Sequence, residues 1–222
     1  MLEKISLPEY VTVSTGAEEV IRKVRELKAE GKNLCVAEVG IGVGATAIEI
    51  VRSLDENDTY YMFDFEDNVQ ELKTDLEQLD FFRTTIYAYG NSYQTYDSYA
   101  WTLAKLWQES KDKELFDVIY LDGAHSLFHD GLACCLLKKL CKRGGVLFLD
   151  DIDWTYCVSE RMREFGLRNY TAEQVQTCQI DMVADIFMRD DKEWEYLKDY
   201  STEHRAAFRR RKNRIGLWLF GH

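Results

Sequence analysis

Three stretches of this chain combine residue types and spacings that can do chemistry. The first is E-V-G-I-G-V-G at 38–44. Gly40, Gly42 and Gly44 let a backbone turn sharply and approach a ligand closely, and a helix starting near Ala45 offers its N-terminal N–H groups. With Ala45 in the last place, the stretch also satisfies the dinucleotide fingerprint G-x-G-x-x-[GA]. The second is Asp64, 24 residues past Gly40 at the end of a second predicted strand. An acid there can take both hydroxyls of a ribose. Glu66 and Asp67 are near alternatives, and a solvated acidic loop is the plainer account. Gly90-Asn91-Ser92 follows the third predicted strand, where an adenine edge would lie, although a loop turn explains those residues equally well.

The third stretch is split. A fourth predicted strand ends in Asp122-Gly-Ala-His125, and a fifth in Asp150-Asp151 with Asp153 just beyond. In a parallel sheet the carboxyl ends of neighbouring strands lie side by side above the ligand crevice. Asp122, Asp150 and Asp151 would repel one another there unless protons or a cation intervened. A hard divalent ion such as Mg²⁺ accepts carboxylate oxygens, waters and substrate oxygens. The plainer account has one acid capping a helix and another solvated. His125 can act as a general base near neutral pH, or simply open a helix. His129 makes an H-x-x-x-H pair with it, but zinc is disfavoured by the hard acids nearby and the lack of a catalytic Glu. His129 then lines a pocket or stands exposed on a helix. Trp154, Tyr156 and Tyr93 can wall an acceptor site or serve as ordinary packing.

Together, E-x-G-x-G-x-G, an acid after strand two, and D-G-x-H with a D-D pair resemble the class I S-adenosylmethionine methyltransferases. More narrowly, they resemble the metal-dependent small-molecule O-methyltransferases, including those that modify sugars of natural products. The resemblance covers about residues 34–154. It implies S-adenosylmethionine held by Glu38, Gly40, Gly42, Gly44, Asp64, Asn91, Ser92 and Asp122. It also implies Mg²⁺ on Asp122, Asp150 and Asp151, and His125 as base beside Asp122. A methyl on a sulfonium is already activated, so such an enzyme mainly aligns an oxygen behind it and manages a proton.

Elements to position these residues are legible. Val20, Ile21, Val24 and Leu27 give a helix over 17–29, with Ser14 or Thr15 as cap and Gly31 as stop. Strands are predicted at 34–39, 59–63, 84–89, 116–121 and 145–149. Helices are predicted at 45–54, around 69–79, at 98–109 and at 127–141. This alternation means crossover connections and a mostly parallel sheet. Beyond 155 the spacing of Val175, Cys178, Met182, Ile186 and Phe187 gives a helix over 172–188. EWEYLKDY and RIGLWLF then supply two final strands; alternatively VADIFM is the sixth. The expectation is one Rossmann-like three-layer α/β domain over 1–222. Residues 1–30 form its helical lead-in, and its seven-stranded sheet has an antiparallel C-terminal strand.

Composition agrees. With 222 residues, 46% hydrophobic, the chain can fill one sizeable core. The N-terminus has no basic-then-apolar leader, no stretch is long and apolar enough for a membrane, and six cysteines form no CxxC pair. These point to a cytoplasmic protein with reduced thiols. A net charge of −11 argues against a nucleic-acid grip. Arg205, Arg209, Arg210, Arg211, Lys212 and Arg214 form a local basic run, usually a solvated face, that would suit a phosphorylated or nucleotide-linked sugar as acceptor. A homo-oligomer is compatible with all of this. Two rivals remain. An NAD-dependent oxidoreductase explains the glycines and Asp64, but not the D-D pair. A non-catalytic subunit on the same fold has no need of His125.

Overall fold

The computed structural model describes residues 1–13, 15–110 and 114–212. Among the described residues, seven strands form one sheet: β1 (Cys35–Val39), β2 (Thr59–Phe65), β3 (Thr85–Asn91), β4 (Phe116–Leu121), β5 (Cys141–Leu149), β6 (Trp194–Tyr196) and β7 (Ala206–Arg210). Their order is β3-β2-β1-β4-β5-β7-β6. The first five run parallel, and β7 is antiparallel to both of its neighbours, β5 and β6.

Adjacent apolar residues on the central strands explain the three layers, because successive side chains point to opposite faces. Val36, Val118 and Val146 pack with α1 (Glu18–Ala29), α2 (Ala45–Ser53) and α3 (Glu66–Glu77). Ala37, Ile119 and Leu147 pack on the other side with α4 (Tyr99–Glu109), α5 (Leu127–Leu140) and α8 (Gln179–Ala184). Strands buried on both faces read as continuous hydrophobic runs, which is why β1, β4 and β5 stood out. All six cysteines are free thiols. Among the described residues, no helix is long and apolar enough to cross a membrane.

Several expectations need correcting. The residue at the N-cap of α1 is Ala17, with no side-chain cap, and Ser14 lies outside the described residues. β2 and β3 each run two residues further than read, so Asp64 and Asn91 belong to the strand ends themselves. Cys141 opens β5 instead of closing α5.

The C-terminal third differs most. α6 (Glu160–Asn169) is short and mostly polar, with Met162, Phe165 and Leu167 as its apolar residues, and Gly166 is its one buried residue. The expected helix over 172–188 is broken into α7 (Ala172–Gln176), α8 and a wide π-type turn, Asp185–Arg189. The break falls at Thr177 and Cys178, whose backbones are not helical. VADIFM is therefore helical; Ala206–Arg210 is the last strand among the described residues, and RIGLWLF lies outside them.

One buried acid ties the entry to β1 and β2 together. Asp58 accepts the Leu34 N–H at 2.7 Å and the Asp55 N–H at 2.7 Å, and pairs with Lys28 at 2.7 Å. Asp58→Ala leaves two amides and an ammonium without this partner. It should lower stability by about 3 kcal/mol, read as a fall in urea midpoint; a loss within about 0.5 kcal/mol would show the anchor to be replaceable.

Candidate active site

The β1–α2 turn needs its first glycine for steric and conformational reasons. Gly40 has φ +81°, and a Cβ there would run into the Asp122 carbonyl oxygen. Gly42, at φ +50°, has nothing within 4 Å of its Cβ position, so its backbone faces open space. That space is a cleft of about 820 Å³ lined by Glu38, Gly40, Gly42, Asp64, Asp122, His125, Asp150 and Asp151, among others. Gly44 lies outside that lining, where a Cβ would meet the side chains of Leu72 and Leu2. A second cavity of about 260 Å³ is lined by Phe65, Asn91, Asp97, Ser98, Tyr99, Ala124 and His129. Gly40, Asp64 and Gly123 line both cavities, so one elongated ligand can occupy the two together.

Asp64 is held firmly. It accepts from the Ile41 N–H at 2.9 Å, the Phe65 N–H at 2.6 Å and the Asn68 amide at 2.8 Å. An ionised carboxylate has about four acceptor positions, which leaves room for a ligand hydroxyl. The buried Asn91 Oδ1 has no hydrogen-bond partner. Ser92 lines neither cavity; its N–H donates to Asp97 at 2.7 Å.

The acids on β1, β4 and β5 converge, and each is neutralised differently. Glu38 is 1% exposed and accepts the Tyr60 hydroxyl. Burial pushes its carboxyl up to about 8; Tyr60 opposes the shift, and the charges of Asp122 and Asp64 add to it. Asp150 binds the Arg205 guanidinium at 2.9 Å and accepts the Tyr120 hydroxyl. Asp122 and Asp151 face His125, whose Nε2 lies 3.1 Å from an oxygen of each. Ligand atoms of Asp122, His125 and Asp151 all lie within 4.8 Å of one another.

Burial disfavours an imidazolium at His125. The Asp122 hydrogen bond and the charges of Asp122 and Asp151 outweigh it, raising the pKa to about 9. Burial raises Asp151 to about 6, opposed by His125 and assisted by Asp122 and Asp150. Between these two carboxylates the imidazole is favoured in its positively charged form. His125 and Asp151 are also the only non-glycine residues with positive φ among the described residues, at +53° and +54°. Such backbone is costly and is found concentrated at functional sites.

Arg205 was read only as one member of a basic run. It pairs with Glu19 of α1 and with Asp150, and its guanidinium lies over the Tyr120 ring. The other described arginines of that run do not line the cleft. Arg209 pairs with Glu195 at 2.7 Å, Arg210 with Glu114 at 2.9 Å, and Arg211 donates to the Lys192 carbonyl. Arg214 lies outside the described residues. Asp153 faces His204 at 2.6 Å. Trp154 meets the His125 ring edge-on, with centroids 4.9 Å apart, and packs on buried Tyr156. Tyr93 is exposed and stacks on Phe65. His129 lines the smaller cavity, and its Nδ1 meets Ser126 Oγ at 2.9 Å.

No family model matches the sequence, and no curated protein matches it. Solved structures do. One is a putative O-methyltransferase from Klebsiella pneumoniae, 12% identical, with a TM-score of 0.60, covering 95% of this chain and 86% of that one. Another is the O-methyltransferase from Bacillus cereus in complex with SAH, 15% identical, TM-score 0.57, covering 93% and 87%. The fold is that of the O-methyltransferases. A third neighbour, the MycE methyltransferase from the mycinamycin biosynthetic pathway, was solved with Mg and SAH; it is 12% identical with a TM-score of 0.53. That match covers 89% of this chain and 51% of MycE.

The raised Glu38 carboxyl yields a pH prediction. Between its ordinary 4.5 and about 8, the folded chain keeps a proton on Glu38 that the unfolded chain has released. The contribution is complete below 4.5 and is lost as pH rises through 8. Glu38→Gln stays neutral, so its urea midpoint relative to the parent, measured without cofactor, should climb between about pH 5 and pH 8. A pH-independent difference would show that Glu38 is ionised in the folded chain.

Proposed function

We propose that this protein transfers a methyl group from S-adenosylmethionine to a hydroxyl of a small polar molecule, a sugar or sugar-bearing metabolite. One observation carries the reading: His125 Nε2 sits between Asp122 and Asp151 at the strand ends, over the same cleft that holds the glycine turn and Asp64. S-adenosylmethionine supplies the activated methyl, which leaves the protein to align the acceptor oxygen and take its proton. In this reading Gly40 and Gly42 give backbone access, Glu38 closes the floor, and Asp64 takes the ribose hydroxyls. Asn91 lines the smaller cavity beside the nucleobase. His125 would take the acceptor proton only as the neutral imidazole, which requires a cation beside Asp122 and Asp151 to offset the charge that raises its pKa to about 9.

The donor set suits a hard divalent cation. Asp122 and Asp151 present carboxylate oxygens close together, and oxygen donors are what Mg²⁺ selects. Mg²⁺ there would offset the crowded negative charge and lower the pKa of an acceptor hydroxyl. Asp150, third in the family pattern, is engaged by Arg205 and Tyr120. Asp122 and Asp151 are therefore the principal ligands in our reading, with Asp150 a secondary one.

Thr15, Glu18, Glu19, Thr202, Glu203 and His204 line the cleft's outer part, a polar surface that favours a polyhydroxylated acceptor. Arg209, Arg210 and Arg211 are engaged by Glu195, Glu114 and the Lys192 carbonyl, so these three do not argue for a phosphate on it. An NAD-dependent oxidoreductase would use the glycine turn and Asp64, but it leaves the Asp122–His125–Asp151 cluster without a task. Free thiols fit a cytoplasmic setting.

The test is a panel of sugars and glycosides incubated with S-adenosylmethionine and Mg²⁺, read by mass spectrometry for a gain of one methyl. His125→Ala should lower kcat roughly 10²–10⁴-fold while the cofactor still binds. Activity should fall on chelation and return with Mg²⁺, and Asp151→Asn should weaken metal binding more than Asp150→Asn does. Near-normal kcat in His125→Ala would remove it as base. Full activity in excess chelator would remove the metal.

A further inference from the structure

Two buried side chains hold the segment that carries His125: Tyr99, which lines the smaller cavity, and Asp130, which lines neither. Between β4 and α5 the chain must bring His125 into a left-handed conformation, and its amides are met one by one. The Ala124 N–H donates to the Tyr99 hydroxyl oxygen at 3.0 Å. The Ser126 N–H donates to Asp130 Oδ2 at 2.8 Å, and the Leu127 N–H to Gln179 Oε1 at 2.9 Å. Tyr99 in turn donates its O–H to Asp130 Oδ1 at 2.5 Å. Asp130 and Ser126 are fully buried, and Tyr99 is 8% exposed.

The pair also explains a glycine. A Cβ on Gly123 would run into both the Asp130 carboxylate and the Tyr99 hydroxyl. The segment from Asp122 to Asp130 therefore closes on itself: Gly123 makes room, Tyr99 and Asp130 fill it, and the amides on either side of His125 are fixed. Asp130 lines neither cavity, so its effect on chemistry would have to pass through this segment.

We propose that Tyr99 and Asp130 are positioning residues for His125, fixing the turn that sets its imidazole between Asp122 and Asp151. The proposal rests on the reading of His125 as the base. Misplacing a reacting group by about 1 Å can cost roughly 100-fold in rate, so Asp130→Ala should lower kcat by about that factor. Cofactor affinity should stay within about twofold, because Asp130 touches neither cavity. Asp130→Asn should recover most of the loss: its amide oxygen can still accept the Ser126 N–H, and its NH₂ can donate to the Tyr99 oxygen.

The discriminating measurement is a double-mutant cycle. If Asp130 acts through His125, then Asp130→Ala introduced into His125→Ala should cost less than about threefold further. A general stabilising role would subtract the same factor in both backgrounds, and that result would overturn the proposal. A second arm needs no turnover. The ring-nitrogen resonances of His125, followed by ¹⁵N NMR in Asp130→Ala and Tyr99→Phe, should shift relative to the parent, while those of the exposed His204 stay in place. Unchanged His125 signals in both variants would overturn it as well. Should the parent transfer no methyl group, the function reading fails and this NMR arm alone decides the positioning claim. Should Asp130→Ala not fold, the cycle is run with Tyr99→Phe.

Discussion

Crowded negative charge is the constraint around which this molecule is built. Parallel pairing sets the ends of β1, β4 and β5 side by side: the Asp122 N–H donates to the Val39 carbonyl at 2.8 Å, and the Asp150 N–H to the Leu121 carbonyl at 3.0 Å. Glu38, Asp122, Asp150 and Asp151 are thereby forced into one crevice. Like charges held that close in a partly dry site cannot all persist unaided. Glu38 keeps a proton near neutral pH, Asp150 takes Arg205, and Asp122 and Asp151 share His125. The antiparallel β7 acquires a purpose in this light. It lies against β5 with Ala206 opposite Leu149, which brings the preceding Arg205 to Asp150. From there Arg205 also reaches Glu19, linking the first helix to the last strands.

In the proposed function the same crowding suits two positive ligand groups, a divalent cation and a sulfonium. His125 in the cation-free protein stands in for the first, as an imidazolium between two carboxylates. Its backbone strain, and that of Asp151, are located where the opposing charges meet. The strain is sustained by surroundings that over-determine it, above all Tyr99 and Asp130 under the β4–α5 segment.

Much of this was legible in the sequence, for identifiable reasons. β1, β4 and β5 are apolar on both faces and end abruptly in charge, so the strands and the acids at their ends could be read together. Asp64, Asn91 and His125 followed from their distance to those ends. The C-terminal third was not legible in the same way. α6 is short and mostly polar, and its few apolar residues, Met162, Phe165 and Leu167, are too sparse to mark a helix. The helical spacing across 172–188 continues through Thr177 and Cys178, where the backbone nevertheless leaves the helix. β7 reads A-A-F-R-R, and its arginines look like a solvated run because the carboxylates that receive them, Glu195 and Glu114, lie on other elements. Tyr99 and Asp130 gave no signal, since their partnership spans 31 positions.

The central claim is that the glycine turn and Asp64 hold S-adenosylmethionine. Titration calorimetry of the purified protein with S-adenosylmethionine, and separately with NAD, tests this most directly. The account predicts one-to-one binding of S-adenosylmethionine, weakened roughly tenfold or more in Asp64→Ala through loss of a charged hydrogen bond, and no comparable binding of NAD. No heat with S-adenosylmethionine, or an affinity for it that Asp64→Ala leaves unchanged, would contradict it.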